Sequence, residues 1–153
     1  METVKKILAP TDLSELSCIG LRHALEMGRL RGAEVIVYYV IDLGDHWTKP
    51  EHSGPFREML EFHKSSLDKF LREKFPEEMN LTEVRQVVEF GGAVDNIVEK
   101  AEAERVDRIV MSTHGRTGID HLLIGSVSER VIARASCPVL IIPAHKRKIA
   151  RAA

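Results

Sequence analysis

The chemistry-bearing stretch of this chain runs from Met111 to Ser126, MSTHGRTGIDHLLIGS, at the end of the apolar run Arg108-Ile109-Val110-Met111. It places Gly115, Gly118, Gly125 and Ser126 between a predicted strand and a predicted helix. Glycine has no Cβ, so backbone N–H groups there approach an anion closely. The N-terminal end of the following helix adds positive partial charge. A phosphate is the ligand such a segment suits, with N–H groups near Gly115 and at Gly125, Ser126 and Val127 as donors. The Ser126 hydroxyl either adds a donor or caps the helix. His114 and Arg116 are the strongly polar side chains in the first half; each either meets phosphate or faces solvent, and His121 is a weaker third. A Gly-rich turn that binds nothing is the alternative on spacing alone.

A second group, Pro10-Thr11-Asp12, follows the first apolar run. A carboxylate there accepts from ribose hydroxyls, or holds the turn before the next helix. Val40 ends the second apolar run and suits packing against a base or a core. His46, His52 and His63 lack metal-ligand spacing. Magnesium is expected only as the companion of a triphosphate. No G-x4-G-K-[S/T] occurs, and no G-x-G-x-x-G follows the first strand, so P-loop and dinucleotide fingerprints are missing. No nucleophile with a base and an orienting partner is assembled from the sequence.

The elements that must position these residues alternate. Val4–Ala9 reads as a strand stopped by Pro10, and Ser14 caps a helix ending near Gly32. Glu34–Ile41 is nearly all apolar, as in a strand covered on both faces. A loop from Asp42 to Pro55 leads to a helix over Phe56–Phe75, ended by Pro76. Leu81–Phe90 is the third strand, and Gly91-Gly92 turns into a helix carrying Val94, Ile97, Val98 and Ala101. Asp107–Met111, the helix Ser126–Ala135 and the strand Pro138–Ile142 follow. This alternation is the signature of an α/β fold, a five-stranded parallel sheet with helices on both faces. Ligands of such sheets bind outside the carboxyl ends of the strands, where strand order reverses.

With 153 residues, 44% hydrophobic and 29% charged, the chain is expected to form one domain over residues 1–145 with a basic tail over 146–153. A net charge of −1 gives no electrostatic case for nucleic acid. No apolar run reaches the length of a membrane span, and METVKK leads straight into a strand with no signal peptide. Cys18 and Cys137 read as small buried or half-buried thiols in a reducing compartment, which places the protein in the cytoplasm.

The spacing Ser112-x2-Gly115-x9-Gly125-Ser126 resembles the G-x2-G-x9-G-[S/T] nucleotide loop of the universal stress protein family. KKILAPTDLSELS near the start and GSVSERVIARASCPVLIIP near the end extend the likeness over almost the whole chain. The resemblance implies a three-layer sandwich with strand order 3-2-1-4-5, so that the loops after strands one and four flank one cleft. It implies an adenine nucleotide there, ATP with magnesium as its companion ion. Asp12, with Pro10 and Thr11, would lie beside base and ribose, and the Val40 backbone would read adenine. Ser112, His114, Gly115, Arg116, Gly118, Gly125, Ser126 and Val127 would carry the phosphate side, and Met111 would also contact the nucleotide. It also implies a homodimer through the last strand, Val139–Ile142. Ser112 stands where the family's first glycine sits; serine fits a tight turn but tolerates positive φ poorly. Three functions remain open: a nucleotide-sensing stress-response module, a stress-response dimer that binds no nucleotide, and a slow ATPase or phosphoryl-transfer enzyme relying on His114, Asp12 or Arg116. The retained Gly115, Gly125 and Ser126 favour the first.

Overall fold

The computed structural model describes residues 3–44, 54–113 and 125–143. The described residues form five strands and five helices: β1 (Lys6–Thr11), α1 (Ser17–Arg31), β2 (Glu34–Ile41), α2 (Gly54–Lys74), α3 (Pro76–Leu81), β3 (Val84–Phe90), α4 (Ala93–Glu104), β4 (Arg108–Thr113), α5 (Ser126–Arg134) and β5 (Val139–Pro143). All strand pairs are parallel, in the order β3-β2-β1-β4-β5. This is the α/β sandwich and the strand order that the resemblance implied.

Alternation along the central strands builds two cores. Ile7 and Ala9 of β1 and Val35 and Val37 of β2 join Leu21 and Leu25 of α1 and Leu67 and Leu71 of α2. Leu8, Ile36, Tyr38 and Ile109 point the other way, onto Val94 and Ile97 of α4 and Val131 of α5. Burial on both faces explains why β2 reads as an unbroken apolar run.

Several boundaries differ from the sequence expectation, each for a local reason. The first strand does not stop at Pro10 but continues to Thr11. The Lys5 carbonyl accepts from Glu34 of β2 and the Lys6 carbonyl from Asp107 beside β4, so alternate residues address opposite neighbours. Pro10 belongs to the set facing β4, and pairing with β4 ends at Leu8. Its missing N–H therefore removes no ladder bond.

Regular α1 begins at Ser17, after i→i+3 bonds from Ser17, Cys18 and Ile19 to Ser14, Glu15 and Leu16. Its other end is as expected: Gly32 adopts φ 64°, and the Gly28 carbonyl accepts from both Gly32 and Ala33. Pro76 ends α2 and also opens α3, an unexpected helix with Glu77 and Glu78 in its first turn. That helix delays β3 to Val84. Helix α2 begins at Gly54, with Pro55 in the first turn, where its missing N–H has no intrahelical partner to lose. β4 continues past Met111 to Thr113.

Cys18 and Cys137 are free and half-buried, and burial raises both thiols above their ordinary pKa. No described helix is long and apolar enough to cross a membrane.

Candidate functional site

β1 pairs with β2 as far as Thr11↔Tyr39, but with β4 only at Ile7↔Arg108 and Leu8↔Ile109. The two central strands therefore part at their carboxyl ends. β1 feeds α1 on one face of the sheet, and β4 precedes α5 on the other, so this is the point where strand order reverses. A cavity of about 380 Å³ opens there, inside the usual small-ligand range of roughly 300–1,000 Å³.

One end of the cavity is the turn between β1 and α1, and its groups hold one another. Thr11 Oγ1 accepts the Leu13 N–H at 3.1 Å and lies 2.8 Å from Ser17 Oγ. Asp12 Oδ1 accepts from the Ser14 N–H at 3.0 Å and the Ser14 hydroxyl at 2.5 Å. Ser14 Oγ accepts the Ser17 N–H at 3.1 Å. Leu13, at φ 64°, makes the corner. The Leu13, Ser14 and Ser17 amides leading into α1 are thus already taken by side chains of the same turn. Asp12 Oδ2 plays no part in those bonds, and the residue is exposed.

The opposite end is the start of α5. Gly125 is the N-cap at φ −58° and ψ 155°, and no side-chain cap bond forms. Its N–H donates to Thr113 Oγ1 at 3.0 Å, and its carbonyl accepts from Glu129 at 2.9 Å. Ser126, Val127 and Ser128 of the first turn line the cavity.

Between the two ends the lining is largely apolar: Val40, Met111, Ala93, Ile97 and the Tyr38 ring. The Tyr38 hydroxyl donates to Glu89 at 3.0 Å; burial, then the Glu89 charge, push its pKa far up and keep the phenol neutral. Tyr39, on the other face, is raised by burial and then by the Asp12 charge.

Ser112 lies in regular strand, paired with Ile142, and not in the tight turn expected of a residue in place of a glycine. The only described non-glycine residues at positive φ are Leu13 and Arg105. Its Oγ accepts the Gly20 N–H of α1 at 2.6 Å. The hydroxyl ties strand to helix because β4 runs two residues further than its apolar run suggested.

Pro10, Thr11, Asp12, Val40, Met111, Ser112, Gly125, Ser126 and Val127 thus line one cavity, although they come from β1 and the turn after it, β2, β4, and α5 with its N-cap. His114, Gly115, Arg116, Gly118 and His121 lie outside the described residues, as do His46 and His52. His63 sits on α2 against Tyr39, 3.4 Å from its hydroxyl. Among the described residues no group of three or more His, Cys, Asp or Glu side chains could hold a metal ion.

Sequence reasoning did not select Ser14, Leu16, Ser17, Tyr38, Asp42, Ala93, Ile97 or Ser128 as lining residues. The polar residues after β1 and β2 carried a signal, since both positions follow a strand's carboxyl end. Ala93 and Ile97 carried none, because the cavity reaches them only through the packing of α4.

Comparison with known proteins adds the following. The family model described as "Universal stress protein family" matches residues 3–143. Universal stress protein MJ0531 of Methanocaldococcus jannaschii is 36% identical over 146 residues, covering 94% of this chain and 85% of that protein. The solved structure of MJ0577 from the same organism superposes with a TM-score of 0.72 at 32% identity, covering 95% of this chain and 99% of that one. The universal stress protein from Archaeoglobus fulgidus in complex with dAMP superposes with a TM-score of 0.54 at 27% identity, covering 93% and 99%.

Proposed function

The chain belongs to the universal stress protein family, and from that premise we propose that it binds an adenine nucleotide, ATP in the first instance, as a nucleotide-sensing stress-response module of the cytoplasm. The observation that carries the reading is the asymmetry of the two helix starts facing the cavity. The Leu13, Ser14 and Ser17 amides leading into α1 are taken by Thr11, Asp12 and Ser14, whereas among the described residues no side chain takes an amide in the first turn of α5. An anion is therefore favoured at α5, where the first-turn amides and the helix dipole meet it. The phosphates belong at the Ser126 and Val127 amides, beside Gly125; the Gly125 N–H, expected from the sequence as a donor, is instead given to Thr113. His114, Gly115, Arg116 and Gly118 complete that end, and magnesium accompanies a triphosphate. Ribose hydroxyls belong at Asp12, whose carboxylate accepts them, and the base packs on Val40 and Met111.

The dAMP complex of the Archaeoglobus fulgidus relative supports an adenine ligand in this fold. The Ser112 backbone removes the steric reason for a chain of this family to have lost nucleotide, because no positive φ is required of it.

A homodimer through β5 is part of it. Among the described residues β5 is an edge of the sheet, and Leu140 on it is an apolar side chain 37% exposed. Two copies meeting there would make an isologous contact.

The test is mass spectrometry of what the purified protein releases on denaturation, with calorimetric titration of ATP and AMP in magnesium. Released adenine nucleotide, or binding heat for either, is the expected result. No released ligand and no heat would overturn the reading in favour of a stress dimer without nucleotide.

A further inference from the structure

The Thr113 side chain is 2% exposed and lies behind the cavity wall, yet it fixes part of that wall. Its Oγ1 takes the Gly125 N–H at 3.0 Å across twelve positions of sequence. The Gly125 carbonyl accepts from Glu129 within α5 at 2.9 Å. Both polar backbone groups of Gly125 are thereby held, one by the end of β4 and one by the helix. Across a trans peptide the Ser126 N–H points opposite to the Gly125 carbonyl. The carbonyl runs along α5, so that N–H projects from the helix start, where Ser126 lines the cavity. A glycine N-cap has no side chain with which to fix its own helix start, and Thr113 supplies the hold from outside. The neighbouring hydroxyl does other work: strand alternation sends Ser112 to Gly20 of α1.

We propose that Thr113 is a positioning residue for the phosphate end of the cavity, whose hydroxyl sets the α5 amides so that a phosphate-bearing adenine ligand binds more tightly than the bare nucleoside. The proposal rests on the nucleotide reading above.

The test is calorimetric titration of the whole chain with adenosine and with magnesium ATP, in the wild type, Thr113→Val and Thr113→Ser. Valine keeps the shape and removes the acceptor. It lowers ATP affinity about tenfold and leaves adenosine within about twofold, while serine restores the wild-type ratio. A hydroxyl with only a structural role would move both ligands together or neither, so an unchanged ATP-to-adenosine ratio in Thr113→Val overturns the proposal. Should the valine variant fail to fold, loss of the ATP preference in Thr113→Ser, which keeps the hydroxyl, overturns it instead, and a retained preference sustains it. A wild type that binds neither ligand overturns the nucleotide reading itself and this proposal with it, a result distinct from an unchanged ratio.

Discussion

Ser112 and Gly20 show how closely single residues set the cavity's surroundings. A Cβ added at Gly20 would lie 2.7 Å from Ser112 Oγ and 2.8 Å from Ser112 N, and the second atom is backbone that cannot turn aside. Gly20→Ala is therefore expected to destabilise the fold by about 1–3 kcal/mol, read as a lower urea midpoint. Ser112→Ala leaves the Gly20 N–H without its acceptor, and a loss of roughly 1–3 kcal/mol is expected in the same assay. At Gly125 the outcome reverses. Its φ of −58° is open to any residue, so Gly125→Val should melt near the wild type while its side chain fills the phosphate end. Retained ATP affinity in that variant would remove the α5 end from the site. Gly125 and Ser126 were legible in the sequence as the start of α5, because a helix start is a local pattern. The role of Ser112 was not, since its partner lies 92 positions away.

Elements are held by their ends as much as by their cores. Gly32 closes α1 in the left-handed region, where a Cβ crowds the backbone, so Gly32→Ala should cost about 1 kcal/mol in denaturant unfolding. At the opposite end of the sheet from the cavity, Arg85 of β3 bridges Glu34 of β2 at 2.6 Å and Glu104 of α4 at 2.6 and 2.9 Å. These hydrogen bonds hold the Glu104 carboxyl down to about 2, against an ordinary value of 4.5. A pKa depressed in the fold gives stability that is full above the unfolded value and lost as pH falls through the folded one. Stability should therefore decline from about pH 4.5 toward pH 2, and Arg85→Ala should flatten that slope in urea midpoints taken across the window. An equal slope in the variant would mean other carboxylates govern it. Periodicity placed all five strands and the four long helices. It missed α3, because six residues after a proline carry no repeat to read, and it stopped β1 too soon, because the direction of a missing N–H depends on the neighbouring strand.

For the whole molecule, a ligand that binds only the folded state stabilises it by mass action. At a hundredfold excess over Kd the gain is about 2.7 kcal/mol, which for a chain of this size raises the melting temperature by about 5–10 °C. ATP with magnesium should give that shift in the wild type and none in Gly125→Val. The proposed dimer makes a separate prediction: Leu140→Lys places a charge on the β5 edge and should convert dimer to monomer in sedimentation velocity, with a lower melting temperature that no longer rises with protein concentration. A wild type that sediments as a monomer would end the dimer proposal. The sequence by itself determined the alternation of strands and helices, the two-sided burial of the sheet and the family, because apolar period and glycine spacing are properties of neighbouring residues. Only the tertiary structure decided that β1 and β4 part beyond Leu8, that side chains of the β1–α1 turn take the Leu13, Ser14 and Ser17 amides, and that the hydroxyls of Ser112 and Thr113 reach different helices. Those facts depend on which distant backbone groups the fold brings within hydrogen-bond reach, and no local pattern encodes that distance.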